Sequence, residues 1–272
     1  MSYLPRIPRG WVVLALVRRD FLTARSYRAA FVLDTAFGLA NILVYYFISR
    51  ALGNVTTPNL SGAPTYFAFA AVGASMSLVI QAATTGLARR VREEQLTGTL
   101  EVLVGQPVSS TEIALGVAGF PFMFAMLRVA LYITMAGWVL DLPLGKADWI
   151  GFAVTLLTSG ASLAAVGIVL GGLVVAIKRG DALIMLTVFA LGLFGGAVFP
   201  RTVLPSWLQT LTAWVPTRFA FDGVRNSLFL GSGWANEAMA LLIIAVVLLP
   251  VGLLVFKLAI NWARRRGSLG EY

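Results

Sequence analysis

RRVREEQLTGTLEVLVGQPVSSTE, residues 89–112, is the longest polar interval between apolar blocks on the basic side of this chain. It opens on Arg89, Arg90 and Arg92 followed by Glu93 and Glu94. It runs through Gly98-Thr99-Leu100-Glu101-Val102-Leu103 and closes on Pro107 and Ser109-x-x-Glu112. A loop joining two membrane helices needs no apolar periodicity of its own. Here Leu96, Leu100 and Leu103 recur at helical spacing, with Glu101 off that line. The spacing predicts a short helix outside the bilayer that touches another protein. Ser109 and Glu112 form a capping-box pattern that starts the next helix.

To either side the chain is apolar. Of 272 residues, 58% are hydrophobic and only 12% charged, against about 25% charged in soluble domains. Mean hydropathy is +0.85. This is an all-α integral membrane composition. With no cysteine there is no disulfide framework or thiol site. With no histidine, His-ligated metals and His-based triads are excluded, and no metal site is expected. In a soluble protein the net charge of +9 would suggest nucleic acid. Here topology distributes the charge, and no nucleic-acid partner is expected. The start is not a secretory signal, because Arg18, Arg19, Asp20, Arg25 and Arg28 follow the first apolar run.

Residues 10–28 form a first element too short to span, since a span needs about 20 apolar residues. Val13, Val17, Phe21 and Ala24 share one helical face and Arg18 and Arg25 another. An interfacial helix with basic side chains toward headgroups is expected. Six spans follow, over about 31–50, 64–88, 113–140, 149–177, 182–199 and 238–260. The 54–64 and 141–148 connections are short, and Lys178, Arg179 and Asp181 mark a tight turn. Lys and Arg concentrate before Arg28, in 89–112, at 178–181 and in Arg264-Arg265-Arg266. The opposite side holds only Arg50, Lys146, Arg201, Arg218 and Arg225. Short basic loops stay in the cytoplasm. Both termini and the 89–112 interval are therefore expected there, with the chain in the cell membrane.

The outer segment 200–237 has a pattern of its own. Trp207, Leu208, Leu211, Trp214 and Val215 repeat at helical spacing, and Pro216-Thr217 breaks and restarts the helix. Arg218, Asp222 and Arg225 then share one face, and Phe221, Val224 and Leu228 another. Two short amphipathic helices are expected, folding back on the bundle as a re-entrant cap.

Few polar groups lie inside the spans. Arg128 sits in mid-block, where an unpaired charge costs several kcal/mol. Two readings stand side by side. Arg128 pairs with Asp34 or snorkels, or it is a cationic site for an anionic headgroup on a transport pathway. Asp34, Asn41 and Gln81 are the other candidates for that pathway; each also suits a helix-to-helix hydrogen bond. Small residues at Gly167-x-x-x-Gly171-Gly172 and Gly192-x-x-Gly195-Gly196 permit close helix contact.

Two stretches carry a resemblance. One is Arg92-Glu93-Glu94…Gly98-Thr99-Leu100-Glu101-Val102-Leu103…Pro107-Val108-Ser109. The other is Gly195-Gly196-Ala197-Val198-Phe199-Pro200…Leu204-Pro205-x-Trp207-Leu208…Pro216-Thr217…Asp222-Gly223-Val224-Arg225. Together they resemble the permease subunits of type-2 ABC exporters, the group that includes antibiotic-resistance and polysaccharide export permeases. The resemblance covers nearly the whole chain. It implies six transmembrane helices, an N-terminal interfacial helix, a cytosolic coupling helix within 93–107, and outer re-entrant helices. It implies a dimer with an identical or homologous permease, and two copies of a separate ABC ATPase subunit that hold ATP and Mg. No G-x-x-x-x-G-K-[ST] phosphate loop occurs in this sequence, so the chain is expected to bring no ATPase or cofactor of its own. The coupling residues would be Glu93, Glu94, Thr99, Leu100, Glu101, Leu103 and Pro107. The cargo would be amphipathic: a hydrophobic drug, a lipid or a lipid-linked glycan. The rival is a transporter driven by an ion gradient, which calls for paired mid-membrane carboxylates absent from these spans.

Overall fold

The computed structural model describes residues 10–26, 28–53, 60–96, 109–177 and 181–265. Thr99, Leu100, Glu101, Leu103 and Pro107 of the expected coupling segment lie outside the described residues, as do the side chains of Glu93 and Glu94. Among the described residues the chain is helical, without strands. The long helices are α1 (Trp11–Ser26), α2 (Arg28–Leu52), α3 (Tyr66–Leu96), α4 (Ser110–Val139), α5 (Trp149–Ile177) and α6 (Asp181–Gly195). A capping segment follows, with a 3-10 turn (Arg201–Val203), α7 (Ser206–Thr212), α8 (Pro216–Arg225) and a π-helical turn (Asn226–Leu230). The chain ends in α9 (Trp234–Arg265).

Five of these helices are long and apolar enough to cross a membrane, over Val32–Leu52, Tyr66–Gly86, Thr111–Val139, Trp149–Val174 and Trp234–Trp262. The sixth expected span, 182–199, is different. Its helix stops at Gly195 after 15 residues, about 22 Å of rise against a hydrocarbon core of about 30 Å. The physical cause is local: Gly196 takes φ +82 and the Ala197 N–H turns back onto Gly192 O at 3.0 Å, a left-handed helix end that glycine accepts. The last helix starts at Trp234, not 238. Helix α3 runs on to Leu96, so the backbone of Glu93 and Glu94 belongs to its last turns. No glycine or proline interrupts the chain between Leu87 and Thr97, and Arg, Glu and Gln are good helix formers.

Helix α3 is the centre. It packs against α2, α4, α5, α6 and α8, and Ala68, Phe69, Ala71, Val72, Ser75 and Met76 are buried on it. By contrast α2 is almost entirely exposed within the single chain. Lipid tails are as apolar as leucine, so close van der Waals contact holds such helices together. Gly167 shows how close: a Cβ there would stand 1.7 Å from Ala83 O on α3. Gly172 meets the backbone of Phe256 on α9 and Gly195 meets Thr217 and Phe221, whereas nothing lies within 4 Å of a Cβ built on Gly192. The small-residue stretches therefore divide into contact and open positions.

The two ends differ. At one end α1 lays Leu16 on Gly116 and Val17 on Gly119 of α4. There a second apolar cluster joins Leu16, Ile113, Val117, Phe256 and Ile260. The expected capping box is present on α4, with Ser109 Oγ accepting from the Glu112 N–H at 3.2 Å and Glu112 Oε2 accepting from the Ser109 N–H at 3.0 Å. At the other end the 60–65 and 140–148 connections meet the capping segment: Gly62 lies against Leu230, Lys146 O against Gly231, and the Asp148 N–H donates to Ser227 O at 2.8 Å.

Asp148 fastens that end. Its Oδ1 accepts from the Gly151 N–H at 2.9 Å and its Oδ2 from Trp234 Nε1 at 2.8 Å, which ties the start of α5 to the start of α9. The Gly151 N–H holds its carboxyl below the usual carboxylate range, aided by the Trp234 indole. A carboxylate with a depressed folded pKa adds stability above its unfolded pKa and loses it as pH falls through the folded value. Asp148→Asn therefore melts at lower temperature than wild type at neutral pH. The gap closes only below about pH 4. Melting curves across that range check this, and a gap unchanged at about pH 3 would refute the charge-based account.

Candidate functional site

The most strongly organised polar cluster is buried where the capping segment enters the bundle. Pro216 starts α8 at its first helical position, which suits a residue without an N–H. Thr217 Oγ1 donates to Leu191 O of α6 at 2.7 Å. The second half of α8 goes under cover: Ala220, Phe221, Gly223, Val224 and Arg225 are all buried.

Arg225 is the deepest charge described. It is 1% exposed. Its Nη2 donates to Phe69 O of α3 at 3.1 Å and to Gly196 O at 2.8 Å. Its guanidinium lies over the Phe69 ring, 3.6 Å from the centroid, with the Phe221 ring at 5.4 Å. Burial pushes its pKa down to about 9, against the pull of Asp222, so it stays charged at neutral pH. Cation–π contact and two carbonyls replace water around the charge. One side chain thereby joins the start of α3, the end of α6 and the end of α8.

Asp222 takes a different partner. Its Oδ2 accepts from Arg201 Nη2 at 2.8 Å, with Arg218 Nε 3.8 Å away. Arg218 Nη1 also donates to Ala213 O at 3.0 Å, closing the end of α7. Burial lowers the pKa of Arg201, and the Asp222 charge opposes that shift. The expected sharing of one face by Arg218, Asp222 and Arg225 therefore does not give them one environment. Arg218 and Asp222 stay partly open beside Arg201, while Arg225 is enclosed, because α8 is covered by α3, α5, α6 and α9. Helical periodicity orients a side chain about its own axis and carries no information on which neighbours cover each turn. Arg201 and Phe69 were missed from sequence. Arg201 lies 21 residues from Asp222 and Phe69 156 from Arg225, and no local spacing links them. Trp207, Leu211 and Trp214 form an exposed apolar stripe along and just beyond α7.

The second polar feature is the pair between Arg128 Nη2 on α4 and Asp34 Oδ2 on α2. The Arg128 side chain is 11% exposed and that of Asp34 66%. The guanidinium also lies 4.6 Å from the Phe124 ring centroid. One turn along, Tyr132 Oη donates to Thr35 O at 3.1 Å, so two bonds hold the start of α2 to α4. Asn41 and Gln81 are exposed, and among the described residues no hydrogen bond joins either to this pair. The four candidate pathway residues are thus two together and two apart.

No curated protein matches the chain. The stretch from α1 through the capping segment, which holds α3 and the buried arginine, matches a family profile. That family is described as ABC-2 type transporter, the match covers residues 12–229, and the chain therefore belongs to it as a multi-pass membrane permease of an ABC transporter.

Proposed function

We propose that this chain is the membrane-spanning permease of an ATP-driven exporter for an amphipathic substrate: a hydrophobic drug, a lipid or a lipid-linked glycan. It works with a second permease, identical or homologous, and with two copies of a separate nucleotide-binding subunit that hold ATP and Mg. It sits in the cell membrane with both termini cytoplasmic, the 93–107 segment docked on the ATPase, and the 200–237 segment as the outer cap. The observation that carries the reading is α3. It is one uninterrupted helix of 31 residues, about 46 Å long. It packs on five neighbours. One end leads into 93–107, and the other is held by Arg225 through Phe69 O. A push delivered to the coupling segment by ATPase closure therefore travels along a packed rod to the cap. On this reading Glu93, Glu94 and Glu101 offer carboxylates to the partner, and Leu100, Val102 and Leu103 an apolar knob.

The test is co-purification of the tagged chain from its native membrane in mild detergent, with ATPase turnover measured for wild type and Glu101→Arg. The expected result is an ATPase subunit with wild type and a fall in coupled turnover of about tenfold or more on charge reversal. If no ATPase accompanies wild type, the exporter loses its engine and an ion-gradient mechanism takes its place, to be tested at Arg128 and Asp34.

A further inference from the structure

Away from the cap, a groove of about 560 Å3 opens between α1 and α4. Its lining is aromatic and aliphatic: Phe21 meets Phe120 edge-on at 6.3 Å, Phe120 stacks on Phe124 at 5.7 Å, and Leu127 is largely exposed along it. Arg25 and Arg28 line it as well. Both are exposed, and among the described residues neither side chain has a carboxylate partner. Arg25 is in the last turn of α1, where a cation suits the helix dipole. Arg28 opens α2, where the dipole disfavours one, so its own helix gives no reason for it. Arg128, which follows the lining residue Leu127 on α4, is paired with Asp34. The groove thus sets two arginines without a described carboxylate partner beside an aromatic and aliphatic lining, which complements the anionic headgroup and acyl chain of a phospholipid. Guanidinium groups match phosphate oxygens in pairs, and a bilayer presents such lipids along the whole face of α4.

We propose that this groove binds one anionic phospholipid, with its phosphate on Arg25 and Arg28 and one acyl chain between α1 and α4 against Phe21, Phe120 and Phe124. The lipid is a resident of the bilayer that seats the first helix on the bundle. The inference rests on the membrane fold and is independent of the ATPase or the cargo.

The experiment compares phosphatidylglycerol with phosphatidylcholine of the same chains, added to the detergent-purified full chain. Retained lipid is counted by native mass spectrometry and the rise in melting temperature is measured. Wild type should prefer phosphatidylglycerol by about tenfold, and the double variant Arg25→Gln with Arg28→Gln should lose the preference while still taking phosphatidylcholine. Equal retention of the two lipids by wild type, or a preference that survives the double variant, overturns the proposal. Inorganic phosphate should not reproduce the stabilisation; if it does, the site is an anion site and the lipid assignment falls. Should the double variant fail to stay monodisperse, a salt titration of the melting shift on wild type decides. A shift specific to phosphatidylglycerol that does not shrink with ionic strength also overturns the proposal.

Discussion

Arg225→Ala lowers the unfolding free energy by about 3 kcal/mol or more. The substitution removes the donor to Phe69 O and Gly196 O, the cation over the Phe69 ring, and the volume of one of the largest fully buried side chains. A hydrogen bond from a charged donor contributes about 1.5–3 kcal/mol, and an emptied site adds a cavity cost. The burial of the charge itself works against this sum, since it disfavours the charged form. Arg225→Met separates the contributions. It refills the volume and keeps no donor, so it recovers the cavity cost alone and stays below wild type. Arg225→Lys keeps the charge but not the planar group that stacks on a ring while its Nη2 reaches two carbonyls, and it also falls short. Denaturation in mild detergent, followed by tryptophan fluorescence and by monodispersity, measures all three. A methionine variant as stable as wild type would show that only volume matters and would end the account of Arg225 as the tie between α3, α6 and α8.

The second large effect is expected at Gly167. A Cβ there would sit 1.7 Å from Ala83 O, and its contact is backbone, which has no rotamer to move into. Gly167→Ala must push α5 away from α3 along the most buried helix of the bundle. The loss lies at or above the upper end of the roughly 1–3 kcal/mol typical of overpacking. Gly192→Ala is the control, because its Cβ would have nothing within 4 Å. It is neutral or gains up to about 1 kcal/mol from helix propensity. The same denaturation assay compares them. Equal losses at the two positions would mean that close contact is not what selects glycine at 167.

Element by element, five of the six expected spans were legible because composition over about 20 residues is a sum, and sums survive ignorance of neighbours. The capping box at Ser109 and Glu112 was legible for a related reason: its partners are three residues apart. The break at Pro216 was also local. The length of α6 was not, since an apolar run continues through 196–199 while Gly196 takes a left-handed turn that ends the helix. The Arg128–Asp34 pair stood in the sequence as one of two readings, because a mid-span arginine demands a partner without naming it. Phe69 carried no signal at all, and Arg201 only that of an outer-side cation, because their partners lie 156 and 21 residues away.

What the sequence determined by itself is the class of molecule and its segments: a membrane chain of apolar helices, with an amphipathic start, a polar interval after the second span and a broken segment before the last. These follow from hydropathy, charge and turn chemistry, all of which act within a helix or between near neighbours in the chain. What only the tertiary structure decided is that α3 is the axis, that Arg225 is enclosed while Arg218 and Asp222 are not, and that Arg25 and Arg28 flank an apolar groove. Each of these depends on which helices lie side by side. In a bilayer that choice is made by close packing of surfaces equally apolar in lipid, and hydropathy cannot tell one such surface from another.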